Sequence, residues 1–344
     1  MIIDLRSDTV TLPTPAMRRA MARASLGDDC YGEDPTVNRL QHLAAGLLGK
    51  EAALLVTSGT MGNLVGLLAH SARGDRVIAG EQSHIVLGER DGVTIAGGLE
   101  LQVVPDPHGV PLLDGVTRAL VASPAGGPRT SVVALENTHN RCSGAVVDGG
   151  TVGAFGQMAR GAGAALHVDG ARIFNAAVAL DVDVRELAAG ADSISFCLSK
   201  GLAAPAGSVL CGGGEYIARA KQWRKRLGGA MRQAGVLAAA GIVALETMRD
   251  RLVDDHRNAQ LLACGLAELP GLTIDPHAVQ TNLVYFGVSH PRVDAPRLEA
   301  ALRAGGIWFH AMGSHRARMV THHGITRRAI DRVLITTARV LARG

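Results

Sequence analysis

From residue 52 onward the chain alternates short, almost wholly apolar runs with stretches of helical periodicity. Residues 52–57 read as a buried strand, Ser58-Gly59-Thr60 as a turn and 61–72 as a helix; 76–79, 101–104, 131–135, 165–168, 193–198 and 208–211 repeat the strand pattern, with a helix over 152–162. Continuous apolar runs this short suit strands covered on both faces rather than strands with one wet face. The pattern predicts an α/β fold: an open, mostly parallel sheet with helices on both sides, and a ligand at the carboxyl ends of its strands.

The flanking regions differ. Residues 4–11 are polar and extended, with Pro13 and Pro15 delaying the first helix, and an ordered polar arm of this kind is expected to lie across something. Residues 31–36 form a turn in which Thr36 is the expected N-cap of a helix over 37–48. A basic helix over 215–226 leads to a long helix over 236–269. Strand patterns at 272–274, 282–286 and 318–321, with helices at 296–304 and 326–341, then suggest a small α+β domain. The expected division is 1–250, an N-terminal arm and large α/β domain, and 251–344, a small C-terminal α+β domain.

Composition narrows the function classes. The chain has 344 residues, 47% hydrophobic but only 3% aromatic, so its core must be built from Ala, Val, Leu and Ile. A net charge of +4, with bases and acids interspersed, gives no basic stripe for nucleic acid. No run reaches the roughly 18 apolar residues of a membrane span and no secretory leader opens the chain, so a cytoplasmic protein without a membrane partner is expected. Its five cysteines are widely spaced, with no CxxC pair, which favours reduced thiols. His310, His315, His322 and His323 are the densest histidine group, but 322 and 323 point to opposite faces of an extended segment and no carboxylate lies at ligand spacing. No metal is expected.

Candidate chemistry sits at the strand ends. Lys200 follows the apolar run 193–198 and precedes a Gly- and Ala-rich stretch; an amine there, drawn out of water, is suited to bond a carbonyl cofactor, although a lysine simply reaching solvent has the same pattern. Ser58-Gly59-Thr60 offers backbone N–H groups at a helix start, a place for a phosphate without the sequence of a nucleotide loop. His84 follows another strand, where an imidazole can stack on a flat ring or take a proton. Asp169 ends a strand and precedes Arg172 by three residues; its carboxylate could face a pyridine nitrogen or cap the next helix, and Arg172 could hold a phenolate or a carboxylate.

These stretches, together with Leu5-Arg6-Ser7-Asp8-Thr9-Val10-Thr11, Tyr31-Gly32-Glu33-Asp34-Pro35-Thr36, Leu135-Glu136-Asn137-Thr138-His139-Asn140, His167-Val168-Asp169-Gly170-Ala171-Arg172, Cys197-Leu198-Ser199-Lys200-Gly201 and Met231-Arg232-Gln233, resemble the low-specificity and allo-type L-threonine aldolases. These are pyridoxal 5′-phosphate (PLP) enzymes of fold type I, related to the β-eliminating lyases. The resemblance implies a PLP-dependent carbon–carbon lyase that cleaves β-hydroxy-α-amino acids to glycine and an aldehyde. It implies Lys200 as the Schiff-base lysine, Asp169 at the pyridine nitrogen, His84 stacked on the ring, and Gly59 and Thr60 at the phosphate. Arg172 and Arg318, with Ser7, would surround the substrate carboxylate and Tyr31 would also bind the substrate, with Arg316 competing for the role of Arg318 and Arg172 alternatively on the phenolate. The base that takes the β-hydroxyl proton would be His84 or His139, directly or through a water. Arg232 and Lys225 would reach a neighbouring subunit's phosphate, implying a homotetramer built as a dimer of dimers. The same ring-holding residues would also serve β-elimination or other Cα chemistry, and a non-catalytic phosphate-ligand protein is the alternative from another class.

Overall fold

The all-apolar runs become a seven-stranded sheet because each can bury both faces. In a computed structural model, which describes residues 2–121 and 127–343, the strands lie in the order Ala52–Val56, Ser208–Gly212, Ser193–Cys197, Ala165–Asp169, Thr130–Glu136, Arg76–Gly80, Glu100–Val104. Only Ser208–Gly212 runs antiparallel to its neighbours. The carboxyl ends of the other six therefore share one edge, and the register sets Glu136 beside Asp169 and Asp169 beside Ser195. Leu55, Phe155, Leu166, Val168, Ile194 and Phe196 belong to the main core packed against this sheet.

A second core forms at the other end of the chain. The strands Leu272–Thr273, Leu283–Val288, His310–Ala311 and Arg316–Val320 make an antiparallel sheet, backed by the helices Leu252–Ala267, Ala295–Ala304 and Arg327–Arg343. Ile3 and Leu5 join this C-terminal core, not the one formed by the residues that follow them in sequence.

The arm is what the extended polar pattern at 4–11 becomes. Ile3–Asp4 pairs in parallel with Ile307–Trp308, and the Val320 N–H donates to Leu5 O at 2.8 Å. It is not extended throughout: Asp8–Val10 is a turn of 3-10 helix, because the Ser7 hydroxyl accepts the Thr9 N–H at 3.2 Å. Beyond that turn the Thr11 hydroxyl donates to Lys200 O at 3.0 Å. The arm thus runs from the small core to the strand end that carries Lys200.

Two boundaries differ from the sequence expectation. The cap of the helix Pro35–Leu48 is Asp34, not Thr36. Asp34 Oδ1 accepts the N–H groups of Thr36 and Val37, both at 3.0 Å, while Pro35, having no N–H to satisfy, suits the first helical position. The stretch 236–269 is two helices, Gly235–Thr247 and Leu252–Ala267. No glycine or proline marks that break; Arg249 Nε caps Leu245 O at 2.6 Å and Arg251 pairs with Asp255 in the next turn. Among the described residues no helix is long and apolar enough to cross a membrane.

Asp34 is fully buried, and its Oδ2 also accepts the N–H of Gly235 at 2.8 Å, so one carboxylate starts two helices. Asp34→Ala is expected to cost about 2–4 kcal/mol, read as a lower denaturation midpoint with an unchanged m-value; a loss below about 0.5 kcal/mol would remove its capping role.

Candidate active site

Side chains from three sources meet where the parallel strands end. Ser7 and Thr9 come from the arm, His84, Glu136, Asp169, Arg172 and Lys200 from the ends of the large sheet, and Arg318 from the small sheet; with Asn140 and Ala171 they line a cavity of about 190 Å³.

Asp169 is 3% exposed, yet among the described residues no cationic side chain pairs with it. Its Oδ1 accepts the Ala171 N–H at 3.1 Å and its Oδ2 the Asn63 amide at 2.9 Å, while the helix Ile173–Leu180 begins after Arg172. Asp169 is therefore not that helix's cap. A buried carboxylate on a cavity wall, held by neutral donors alone, is a place for a cationic ligand atom.

Asn63 links this carboxylate to His84. The Asn63 amide also donates to Glu89 Oε2 at 3.0 Å, and Glu89 Oε1 lies 2.9 Å from His84 Nδ1. The hydrogen bond to Glu89 raises the His84 imidazole above its ordinary pKa, against the effect of burial. With Nδ1 engaged by Glu89, Nε2 is the ring nitrogen left to face a ligand.

Arg172 is held by the arm. Its Nε and one terminal nitrogen contact Asp8 Oδ2 and Oδ1, each at 2.7 Å, in a fork with both side chains buried. Burial opposes the Asp8 charge, but Arg172 and Lys200 outweigh it and hold the carboxyl at a pKa of about 2; Asn282 adds a hydrogen bond at 3.3 Å. Arg318 donates to Arg6 O at 3.0 Å and Asn140 Oδ1 at 3.3 Å, leaving its Nε buried beside the cavity with no partner among the described residues. Arg316 is exposed, stacks on Tyr285 at 4.5 Å and donates to Arg141 O, outside this cavity.

The turn 58–60 opens the helix Gly59–His70, with the Ser58 hydroxyl accepting the Met61 N–H at 3.2 Å. A Cβ on Gly59 would stand 2.8 Å from Cys197 Sγ, so only glycine lets the turn lie this close to the strand that leads to Lys200.

Other expected residues lie elsewhere. His139 is 1% exposed and does not line the cavity; it sits behind Glu136, with Nε2 at 3.2 Å from Asp106 and 3.8 Å from Glu136. Tyr31 is 77% exposed, and Lys225 and Arg232 are also on the surface, Arg232 pairing with Asp28 at 3.4 Å. Asp8, Asn63, Glu89, Glu136 and Asn140 were not among the expected site residues. The clearest signal for them was Glu136, a carboxylate closing a run of buried strand residues.

Comparison with known proteins is consistent over nearly the whole length. The beta-eliminating lyase family profile matches residues 4–289. A protein of Arabidopsis thaliana named probable low-specificity L-threonine aldolase 2 is 43% identical, covering 96% of this chain and 95% of its own. The low specificity L-threonine aldolase of Escherichia coli K12 is 42% identical over 99% of this chain and 100% of its own. The threonine aldolase of Leishmania major has the same fold, with a TM-score of 0.83 at 18% identity, covering 98% of this chain and 99% of that one.

The Asp8–Arg172 fork predicts a pH dependence. With a folded pKa of about 2 against roughly 3.9 when unfolded, Asp8 contributes roughly 2–3 kcal/mol that is complete above about pH 4 and is lost as pH falls toward 2. Asp8→Asn, which leaves Arg172 charged and buried without its counter-ion, is expected to cost about 3–5 kcal/mol at neutral pH and to flatten the stability curve in that acid window. Chemical denaturation as a function of pH measures both; an Asp8→Asn curve parallel to that of the unmutated chain would contradict the assignment.

Proposed function

The chain belongs to the beta-eliminating lyase family, and on that footing we propose that it is a PLP-dependent aldolase of the threonine aldolase type. It cleaves L-threonine, L-allo-threonine and related β-hydroxy-α-amino acids, reversibly, to glycine and an aldehyde. The observation that carries this is the meeting of Lys200, Asp169, His84 and Arg318 on one cavity at the strand ends.

The residues present fit the cofactor. Asp169 is a buried carboxylate that no cationic side chain among the described residues pairs with, as a pyridinium nitrogen requires; the turn 58–60 presents a helix N-terminus for a phosphate; and Lys200 lines the same cavity as Asp169. When bound, PLP supplies an electron-poor ring that accepts the electron pair of a bond broken at the amino acid's α-carbon.

The chain's own side chains do the rest. Lys200 would hold the cofactor through its amine. Arg318, with an unpaired Nε and two anchored terminal nitrogens, grips the substrate carboxylate beside Ser7. Arg172, tied to Asp8 through one edge of its guanidinium, would offer its other edge to the phenolate or the substrate carboxylate. His84 would pack against the cofactor, with Nδ1 held by Glu89 and Nε2 left to face the cavity.

The active form proposed here is a homotetramer, a dimer of dimers in which Tyr31, Lys225 and Arg232 complete a neighbour's site; their exposure outside this chain's own cavity supports it. Residues 1–250 form the cofactor-holding unit and 251–344 the small unit. The protein works in the cytoplasm, in keeping with its free thiols at Cys30, Cys142, Cys197, Cys211 and Cys264.

Purified protein supplied with PLP and L-threonine is expected to release acetaldehyde and glycine in equal amounts, and Lys200→Ala to lose this turnover by orders of magnitude together with the visible absorbance of the bound cofactor. Cofactor binding without acetaldehyde release would contradict the aldolase assignment, and full activity in Lys200→Ala would remove Lys200 from the chemistry.

A further inference from the structure

Behind the cavity lies a buried cluster that the roles above leave unused. Glu136, at the end of the strand Thr130–Glu136, is 5% exposed but borders the cavity directly. Its Oε2 accepts the His84 N–H at 2.6 Å and its Oε1 the Asn140 N–H at 2.8 Å, so its carboxylate is fixed between the histidine wall and the residue that steadies Arg318. Behind it is His139, whose Nδ1 accepts the Cys142 N–H at 3.3 Å. Nε2 carries a hydrogen between Asp106 Oδ2 at 3.2 Å and Glu136 Oε2 at 3.8 Å, and, against the effect of burial, these two carboxylates raise the imidazole above its ordinary pKa. Asp106 is itself 1% exposed, accepts the Gln82 N–H at 3.0 Å, and borders a separate cleft of about 560 Å³.

One hydrogen between two buried carboxylates can serve either. While Glu136 is ionised, Nε2–H offsets its charge; when Glu136 takes a proton, Nε2–H is left to Asp106. Such an arrangement lets a carboxylate gain and lose a proton with little movement around it.

We propose that Glu136 is the group that exchanges a proton with the substrate, with His139 and Asp106 as positioning residues that adjust to its charge. This rests on the aldolase assignment. As the Cα–Cβ bond breaks, the β-hydroxyl hydrogen passes to the Glu136 carboxylate and the aldehyde C=O forms. The bonding pair stays with the glycine fragment, and the same proton later returns to its α-carbon, leaving Glu136 ionised again. Burial, with Asp169 beside it, keeps the Glu136 carboxyl above the usual carboxylate range, which eases the uptake of a proton; His139 and the two N–H donors act the other way. His84, Asp169, Arg172, Lys200 and Arg318 share the cavity with it and set the rest of its field.

The test compares the PLP-loaded protein with Glu136→Gln and Asp106→Asn. Glu136→Gln keeps the shape and is expected to lower kcat for L-threonine about 100-fold or more, with KM and cofactor absorbance little changed, and to slow the exchange of glycine α-hydrogens in D2O in parallel. Asp106→Asn removes a like charge and frees Nε2–H for Glu136, so the acid limb of its kcat profile moves to lower pH. In the cofactor-free protein, 15N NMR should show the His139 ring titrating at lower pH in both variants, since each removes one carboxylate that favours its protonation. Unmutated kcat and exchange in Glu136→Gln would overturn the proposal; should that variant fail to fold, an unmoved acid limb in Asp106→Asn would overturn it. If the unmutated protein binds PLP yet neither cleaves threonine nor exchanges glycine hydrogens, the aldolase assignment fails instead.

Discussion

The buried fork between Asp8 and Arg172 is the contact on which the shape of the cavity depends. Taking two charges out of water is costly, and here the cost is offset by two short hydrogen bonds, a third from Asn282 and the nearby charge of Lys200. The geometry it fixes is long-range. Asp8 belongs to an arm anchored in the C-terminal core, Arg172 follows the strand that ends in Asp169, and Asn282 precedes a strand of the small sheet. One ion pair thus locks together the three parts of the chain that supply the cavity walls.

Around that lock, the charges are arranged by what each is given as a partner. Arg172 is satisfied by Asp8, His84 by Glu89 and His139 by Asp106, whereas among the described residues Asp169 has only neutral donors and Arg318 keeps a buried Nε with none. The two incompletely paired groups are the ones proposed to meet the ring nitrogen and the substrate carboxylate. A buried polar group left unmatched by the fold is costly, and a ligand that supplies the missing partner recovers that cost.

Much of this was legible in the sequence, for a physical reason. Strands covered on both faces must be apolar throughout, so the polar residue that ends each run is conspicuous; that is how Asp169 and Lys200 stand out. Glu136 obeys the same rule, though as a lone carboxylate after Leu135 it carried no chemical signature of its own. Asn63 and Glu89 lie within helical or turn segments, where a polar residue is ordinarily solvated, and only the tertiary packing shows them buried and joined. The helix break near 248–251 was hidden because no glycine or proline marks it. Asp34 and Thr36 precede the same helical pattern with the same capping chemistry, and only the backbone shows that the Asp34 carboxylate reaches the free N–H groups.

Diffraction from crystals grown with PLP tests the centre of this account most directly. The prediction is continuous density from Lys200 Nζ to the ring, with the ring nitrogen at hydrogen-bonding distance, about 2.7–2.9 Å, from the Asp169 carboxylate. A ring bound elsewhere, or a Lys200 amine directed into bulk water with Asp169 facing no ligand, would contradict it.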